Sequence, residues 1–185
     1  DITTTNWTRN GTPANFNDGD VVTFDDSSAV TTVNISGTRN ISGITEQSFN
    51  QTYTFSGTGN LTGPGGLDFE GAGLKIANSG SNDFTGPIYI NFGILQVGIG
   101  GTNGNLGSGV ITNNGSLVFN RSDTNVVANV IRGSGSLTNV GTGITTLSGA
   151  NAYNGDTVGQ MCTLRVLNST DVRSTLGGTV FSNTA

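Results

Sequence analysis

Four short blocks of this chain occur twice, in the same order and at nearly the same spacing. Gly57-Thr-Gly-Asn-Leu-Thr62 returns as Gly133-Ser-Gly-Ser-Leu-Thr138, and Asn82-Asp-Phe-Thr-Gly86 returns as Asn151-Ala-Tyr-Asn-Gly155. Leu95-Gln-Val97 matches Leu164-Arg-Val166, and Leu106-Gly-Ser-Gly-Val110 matches Leu176-Gly-Gly-Thr-Val180. The offsets are 76, 69, 69 and 70 residues. A constant internal period marks a repeat architecture, in which each unit buries its apolar face only against its neighbours.

Within each unit the apolar residues alternate with polar ones, as half-buried strands require. Leu95 and Val97 share a face while Gln96 points away, and Leu164, Arg165 and Val166 repeat the arrangement. Leu117 pairs with Phe119, and Ile88 with Ile90, in the same way. Between these strands lie turn dipeptides: Gly65-Gly66, Gly100-Gly101, Asn114-Gly115, Asn154-Gly155 and Gly177-Gly178. No stretch carries a 3.6-residue apolar period, so no α-helix is expected. A sandwich or barrel would also give short strands and frequent turns. The long period favours a solenoid, with each unit of about 70 residues forming about three coils of about 23 residues. The whole chain would then make about eight coils and, at about 4.8 Å per coil, a rod about 40 Å long. Asn side chains stacked at equivalent turns would bond in ladders.

Composition agrees. Only 10% of the 185 residues are charged and 33% are hydrophobic, while glycines number 30. Disorder usually pairs low hydrophobicity with high net charge. Here the net charge is −5 and Val, Ile and Thr recur throughout, which suits a narrow core. Twelve acidic residues against seven scattered basic ones give no phosphate-neutralising stripe, so a nucleic-acid partner is not expected. No apolar run approaches the ~18 residues of a membrane span, so no membrane insertion is expected of this chain.

The repeated blocks resemble the autotransporter-associated β-strand repeat, found in bacterial autotransporter passengers and related large surface proteins. The resemblance is carried by Gly133-Ser-Gly-Ser-Leu-Thr138 running into Thr146-Leu-Ser-Gly-Ala-Asn-Ala-Tyr-Asn-Gly-Asp-Thr157. Gly93-Ile-Leu-Gln-Val97 and Leu106-Gly-Ser-Gly-Val110, followed by Asn113-Asn-Gly-Ser-Leu-Val-Phe-Asn120, resemble its later portion. It covers roughly residues 57 to 181. It implies an all-β, single-stranded right-handed parallel β-helix, secretion, and a place on or beyond the bacterial outer surface. It implies no catalytic residues. Within these 185 residues no membrane-embedded barrel is expected, and the chain departs from the family in carrying Met161-Cys162 where the sister copy has Phe92-Gly93. Two copies are expected, about 57–132 and 133–185, the second incomplete. Residues 1–56 match poorly, and are expected as irregular coils or an N-terminal cap around Trp7, Phe16, Val21, Val22 and Phe24.

Few residues invite chemistry. Histidine is absent, which removes Ser-His, Cys-His and His-ligated metal arrangements. The single cysteine, Cys162, forms no internal disulfide and reads as a small, inert, partly buried residue. The densest carboxylates are Asp18, Asp20, Asp25 and Asp26, which are candidate calcium ligands. They read first as polar turns flanking the strand Val21–Phe24; calcium ligation comes second, and glycoside hydrolysis by paired carboxylates last. Gly57-Thr-Gly-Asn-Leu and Gly133-Ser-Gly-Ser-Leu open no helix and carry no Lys, so they are not phosphate loops. Phe84 and Tyr153, at equivalent repeat positions, are expected in the core rather than as sugar platforms. The sequons at Asn6, Asn34, Asn60 and Asn120 are expected to be bare in a bacterium. No cofactor is expected.

The second copy stops within Val180-Phe-Ser-Asn-Thr-Ala185 with no polar cap. Either the chain is cut from a longer passenger, or a neighbouring subunit covers that end. Stacking head to tail would place Val180 and Phe181 of one subunit against Trp7 and Phe16 of the next and extend as a fibre. The expected function is a non-enzymatic, extracellular or cell-surface structural and adhesive solenoid, contacting host surfaces or glycans. The alternatives are a carbohydrate-active β-helix enzyme and a passive spacer from a larger surface protein.

Overall fold

Short alternating strands separated by glycine corners cannot cover their own edges, and the chain answers by stacking them. In the computed structural model, which describes residues 7–160, 162–167 and 180–182, the described residues contain strands and no helix. The chain is a β-solenoid. Each winding lays one strand in a first sheet and one in a second, then passes through a third side.

The first sheet stacks β3 (Val21–Phe24), β6 (Gly43–Glu46), β9 (Leu67–Phe69), β11 (Ile88–Ile90), β13 (Ile111–Asn113), β16 (Ile131–Gly133) and β19 (Ala152–Tyr153). The second stacks β4 (Thr32–Asn34), β7 (Thr52–Ser56), β10 (Gly73–Ile76), β12 (Ile94–Val97), β14 (Ser116–Phe119), β17 (Ser136–Asn139) and β20 (Thr157–Gly159). On the third side β5 (Thr38–Asn40) pairs with β8 (Asn60–Thr62). Further along, β15 (Thr124–Val127), β18 (Ile144–Leu147), β21 (Thr163–Val166) and β22 (Val180–Ser182) form a four-stranded sheet. All of these pairings are parallel. The exception in the chain is a hairpin of β1 (Trp7–Arg9) and β2 (Thr12–Ala14). Its two-residue loop, Asn10-Gly11, has φ of 53° and 76°, the left-handed pair that a tight hairpin requires.

Parallel stacking in register turns each inward position into a column. One column runs Val22, Ile44, Leu67, Ile88, Ile111 and Ile131. Another runs Tyr53, Leu74, Leu95, Leu117 and Leu137. These side chains are buried in one continuous core, and each Leu or Ile contributes about 1.5–3 kcal/mol by leaving water. A thin core is thereby continuous along the axis, which explains how 33% hydrophobic residues suffice. Phe84 and Tyr153 belong to that core. Corners are as tight as the columns: a Cβ on Gly93 (φ +68°) would overlap the carbonyl oxygen of Gly71 in the winding below.

Inward columns also hold polar groups. Glu46 lies between Phe24 and Phe69 and is fully buried. Asn113 extends the same column beyond Ile90, and Asn139 extends a column of the second sheet beyond Phe119. On the third side, where residues 78–86 and 98–108 form no strand, asparagines take over the bonding. Buried Asn78 and Asn82 bond to each other, Asn78 Nδ2 donates to the Gly59 carbonyl at 2.9 Å, and Asn82 Oδ1 accepts from the Leu61 amide at 2.9 Å. Asn82 and Asn105, one winding apart, exchange side-chain to carbonyl bonds of 2.8 Å. The expected asparagine ladder is thus present, inside the solenoid rather than along its surface.

Among the described residues each of the two main sheets holds seven strands, close to the eight or so coils expected. One expectation is corrected: the sequence repeat is not a whole number of windings. Paired positions in successive windings lie 17 residues (Thr163 to Val180) to 23 (Ile88 to Ile111) apart, so an offset of 69 overshoots three turns by a fraction. Leu95 therefore lies in the second sheet and its sister Leu164 on the third side. A strand cassette fits any side because each side makes the same demand: alternate apolar residues, inward. Residues 21–56 supply β3 to β7 in register with the later windings, and only the hairpin stands apart.

Candidate binding surface

The N-terminal carboxylates are used as staples. Asp20 accepts from Arg9 at 2.7 and 2.9 Å and from the Asn17 amide at 2.8 Å, tying the hairpin to the first winding. Asp18 accepts the Asn40 amide of the next winding at 3.0 Å. Asp26 accepts the amides of Asn50 and Phe49 at 3.0 and 3.1 Å, and these bonds hold its carboxyl below the usual range. Asp25 is held below it by the hydroxyl and amide of Ser27. Among the described residues no three His, Cys, Asp or Glu side chains gather in a group able to hold a metal.

Trp7 and Phe16 close the same end. Their rings lie 6.2 Å apart, and Trp7 meets Phe24 edge-on at 5.5 Å. Phe24 in turn packs on Tyr53 and Phe55 at 5.1 and 5.2 Å. Phe16 is buried and Trp7 packs against the core, so both serve this chain's own interior. Val180 and Phe181 begin β22, the last strand of the third-side sheet; their side chains lie outside the described residues. Cys162 is half-buried, its thiol donating to the Asn139 carbonyl at 3.3 Å.

The outside of the first sheet is different. One outward row runs Thr23, Thr45, Asp68, Tyr89, Thr112 and Arg132. Beside it Gly43, Gly66 and Pro87 precede the paired residues Ile44, Leu67 and Ile88. A hollow of about 230 Å³ lies here, lined by Gly43, Gly66, Thr45, Asp68, Pro87 and Tyr89. Tyr89 is 43% exposed. Asp68 is oriented by Asn91, whose Nδ2 donates to its Oδ1 at 2.8 Å. At the adjoining corner Phe49 and Phe92, 60% and 44% exposed, stack with centroids 5.6 Å apart and planes 17° from parallel. These residues sit two windings apart, a separation of about 9.6 Å, so the rings lean together across the small residues Gly71 and Ala72. Exposed aromatic rings on a rigid sheet present apolar area with little conformational freedom to lose on binding.

Over 57 residues the chain is 49% identical to the adhesin BmaC autotransporter of Brucella suis biovar 1 (strain 1330). Sequence and fold both fit an autotransporter passenger-type repeat protein. The matched stretch is 31% of this chain, and it spans 2% of the length of that adhesin. No protein-family model matches the chain, and no solved structure matches it. A passenger-type solenoid presents sheet faces and corners to its surroundings, and here the first face carries the hollow and the ring pair. Alternation alone places Tyr89 outside, between buried Ile88 and Ile90. The companions that make a site, Gly43, Gly66 and Phe49, come from other windings, so no local signal in the sequence marks them.

Proposed function

We propose that this chain is an adhesive segment of a surface-displayed passenger, and that it makes contact through the outer face of the first sheet. The observation that carries the reading is the match to an adhesin autotransporter; the stacked windings support it by supplying a stiff platform. The partner is a surface glycan. A pyranose ring fits the hollow over Gly43 and Gly66 with one face against the Tyr89 ring, and the Asp68 carboxylate and Thr45 hydroxyl accept or donate bonds to its hydroxyls. The Phe49–Phe92 pair adds apolar contact at the rim. Beads carrying the purified chain test this on mucin-coated and on deglycosylated mucin-coated glass under flow. Retention on mucin, lost on deglycosylation and lowered about ten-fold or more by Tyr89→Ala with Asp68→Asn, is the expected result. Equal retention by the folded double variant sinks the assignment of the face. Absence of retention on any glycan-bearing surface sinks the adhesive reading.

A further inference from the structure

Among the described residues, the end of the core beneath the hairpin is not filled. A cavity of about 590 Å³ lies there, walled by the rings of Trp7, Phe16, Phe24, Tyr53 and Phe55, with Ser27 and Val30 at its exposed margin. One cation lines it. Arg39 pairs in register with buried Leu61, so its side chain leaves the backbone at an inward position. Its Nε is buried without a hydrogen-bond partner, and its Nη1 reaches only the carbonyl of the adjacent Thr38, at 3.2 Å. The ion pairs among the described residues are Arg9–Asp20 and Arg121–Asp123, so no carboxylate answers Arg39. Asp25 also lines the cavity, but Ser27 occupies its carboxylate.

We propose that this cavity is a binding site for a small apolar molecule carrying one anionic head, with the head paired to Arg39 and the body against the aromatic walls. The volume falls in the range of small-molecule pockets, whose walls are mostly apolar with a few placed polar groups; here Arg39 is the cation, and the anion Asp25 is bonded by Ser27. Among the described residues no carboxylate pairs with the Arg39 guanidinium, and an anionic head answers it with a charge-assisted bond. A neutral or cationic head would leave Arg39 unanswered or repelled. The site is separate from the glycan-binding face, so neither depends on the other.

Trp7 is the chain's one tryptophan and stands in the cavity wall, which makes its fluorescence a direct reporter. The probes are dodecanoate, dodecanol and dodecyltrimethylammonium, each titrated below its micellar concentration into the 185-residue chain. Dodecanoate should give a saturable change and bind about ten-fold or more tighter than dodecanol, with the cationic probe weakest. Arg39→Met should bring dodecanoate down to the level of dodecanol. Val33→Phe, which narrows the cavity and keeps Arg39, should weaken both. Absence of a saturable Trp7 response to dodecanoate overturns the proposal, as does equal binding of the three probes. Those comparisons use the unaltered chain, so they decide the question even if a variant fails to fold.

Discussion

The carboxyl of Glu46 occupies the place where a side chain on Gly71 would have to go. A Cβ on Gly71 would overlap Glu46 Oε2, while Ser48 binds the other oxygen through its hydroxyl and through its amide, the latter at 3.1 Å. An acidic group is thereby held inside the first windings between two phenylalanines. Burial pushes its pKa above the ordinary value, against the Ser48 hydrogen bonds. Nearby Asp26 adds to the upward shift.

Stability should therefore depend on pH through Glu46. At low pH both folded and unfolded chains hold the proton, and the residue has no effect. As pH rises through the ordinary glutamate range the unfolded chain releases its proton first, so stability declines until the folded carboxyl also ionises. Glu46→Gln removes this decline. Urea midpoints of the two proteins from about pH 4 to pH 8 should diverge, the variant gaining with pH. Asp25, Asp26 and Asp123, shifted downward, act oppositely but are common to both proteins. A gap that stays constant with pH contradicts the assignment.

The asparagine network should be as important as an apolar column. Asn82→Ala strands the Leu61 amide, which donates to Asn82 Oδ1, and removes the Nδ2 donor that serves Asn78 Oδ1 and the Asn105 carbonyl. At ~1–3 kcal/mol for a stranded buried group, the loss should exceed about 2 kcal/mol in chemical denaturation. Hydrogen exchange at the Leu61 amide should accelerate with it; unchanged protection there would show that water replaces the side chain.

Leu95 stands mid-column, fully buried between Leu74 and Leu117. Truncation to Ala should lower stability by about 2–5 kcal/mol, since stacked windings above and below cannot collapse into the gap. The outward neighbour Gln96, whose side-chain Nε2 donates to the Gly98 carbonyl at 2.7 Å, should cost only about 0.5–1.5 kcal/mol when changed to Ala. Similar losses at both positions would refute the inward and outward assignment.

The Phe49–Phe92 stack predicts a measurable coupling. A double-mutant cycle with alanine at each position should give an interaction of about 0.5–1.5 kcal/mol. Circular dichroism should be unchanged because both rings lie outside the core. Additive effects would mean the rings do not stack in solution.

Much of the fold was legible. Leu95-Gln-Val97, Ser116-Leu-Val-Phe119 and Ile88-Tyr-Ile90 each place their apolar residues inward as alternation requires. The hairpin was not expected, although Asn10-Gly11 is a pair whose residues tolerate positive φ; the poor match of residues 1–56 to the repeat hid it. Glu46 was not legible, because charge argues for an outward position and only Ser48 and Gly71 make an inward one tolerable. The binding face was half legible: Tyr89 is outward by parity, whereas its neighbours depend on stacking.

By itself the sequence determined that this chain is made of short parallel-stacking strands with a thin core, because side-chain alternation follows from local backbone geometry. Only the tertiary structure decided which residues become neighbours up the axis. Corner lengths vary, so windings of 17 to 23 residues accumulate a phase that no single segment encodes. That phase sets Leu164 on a different side from Leu95, seats Glu46 between Phe24 and Phe69, and brings Phe49 to Phe92.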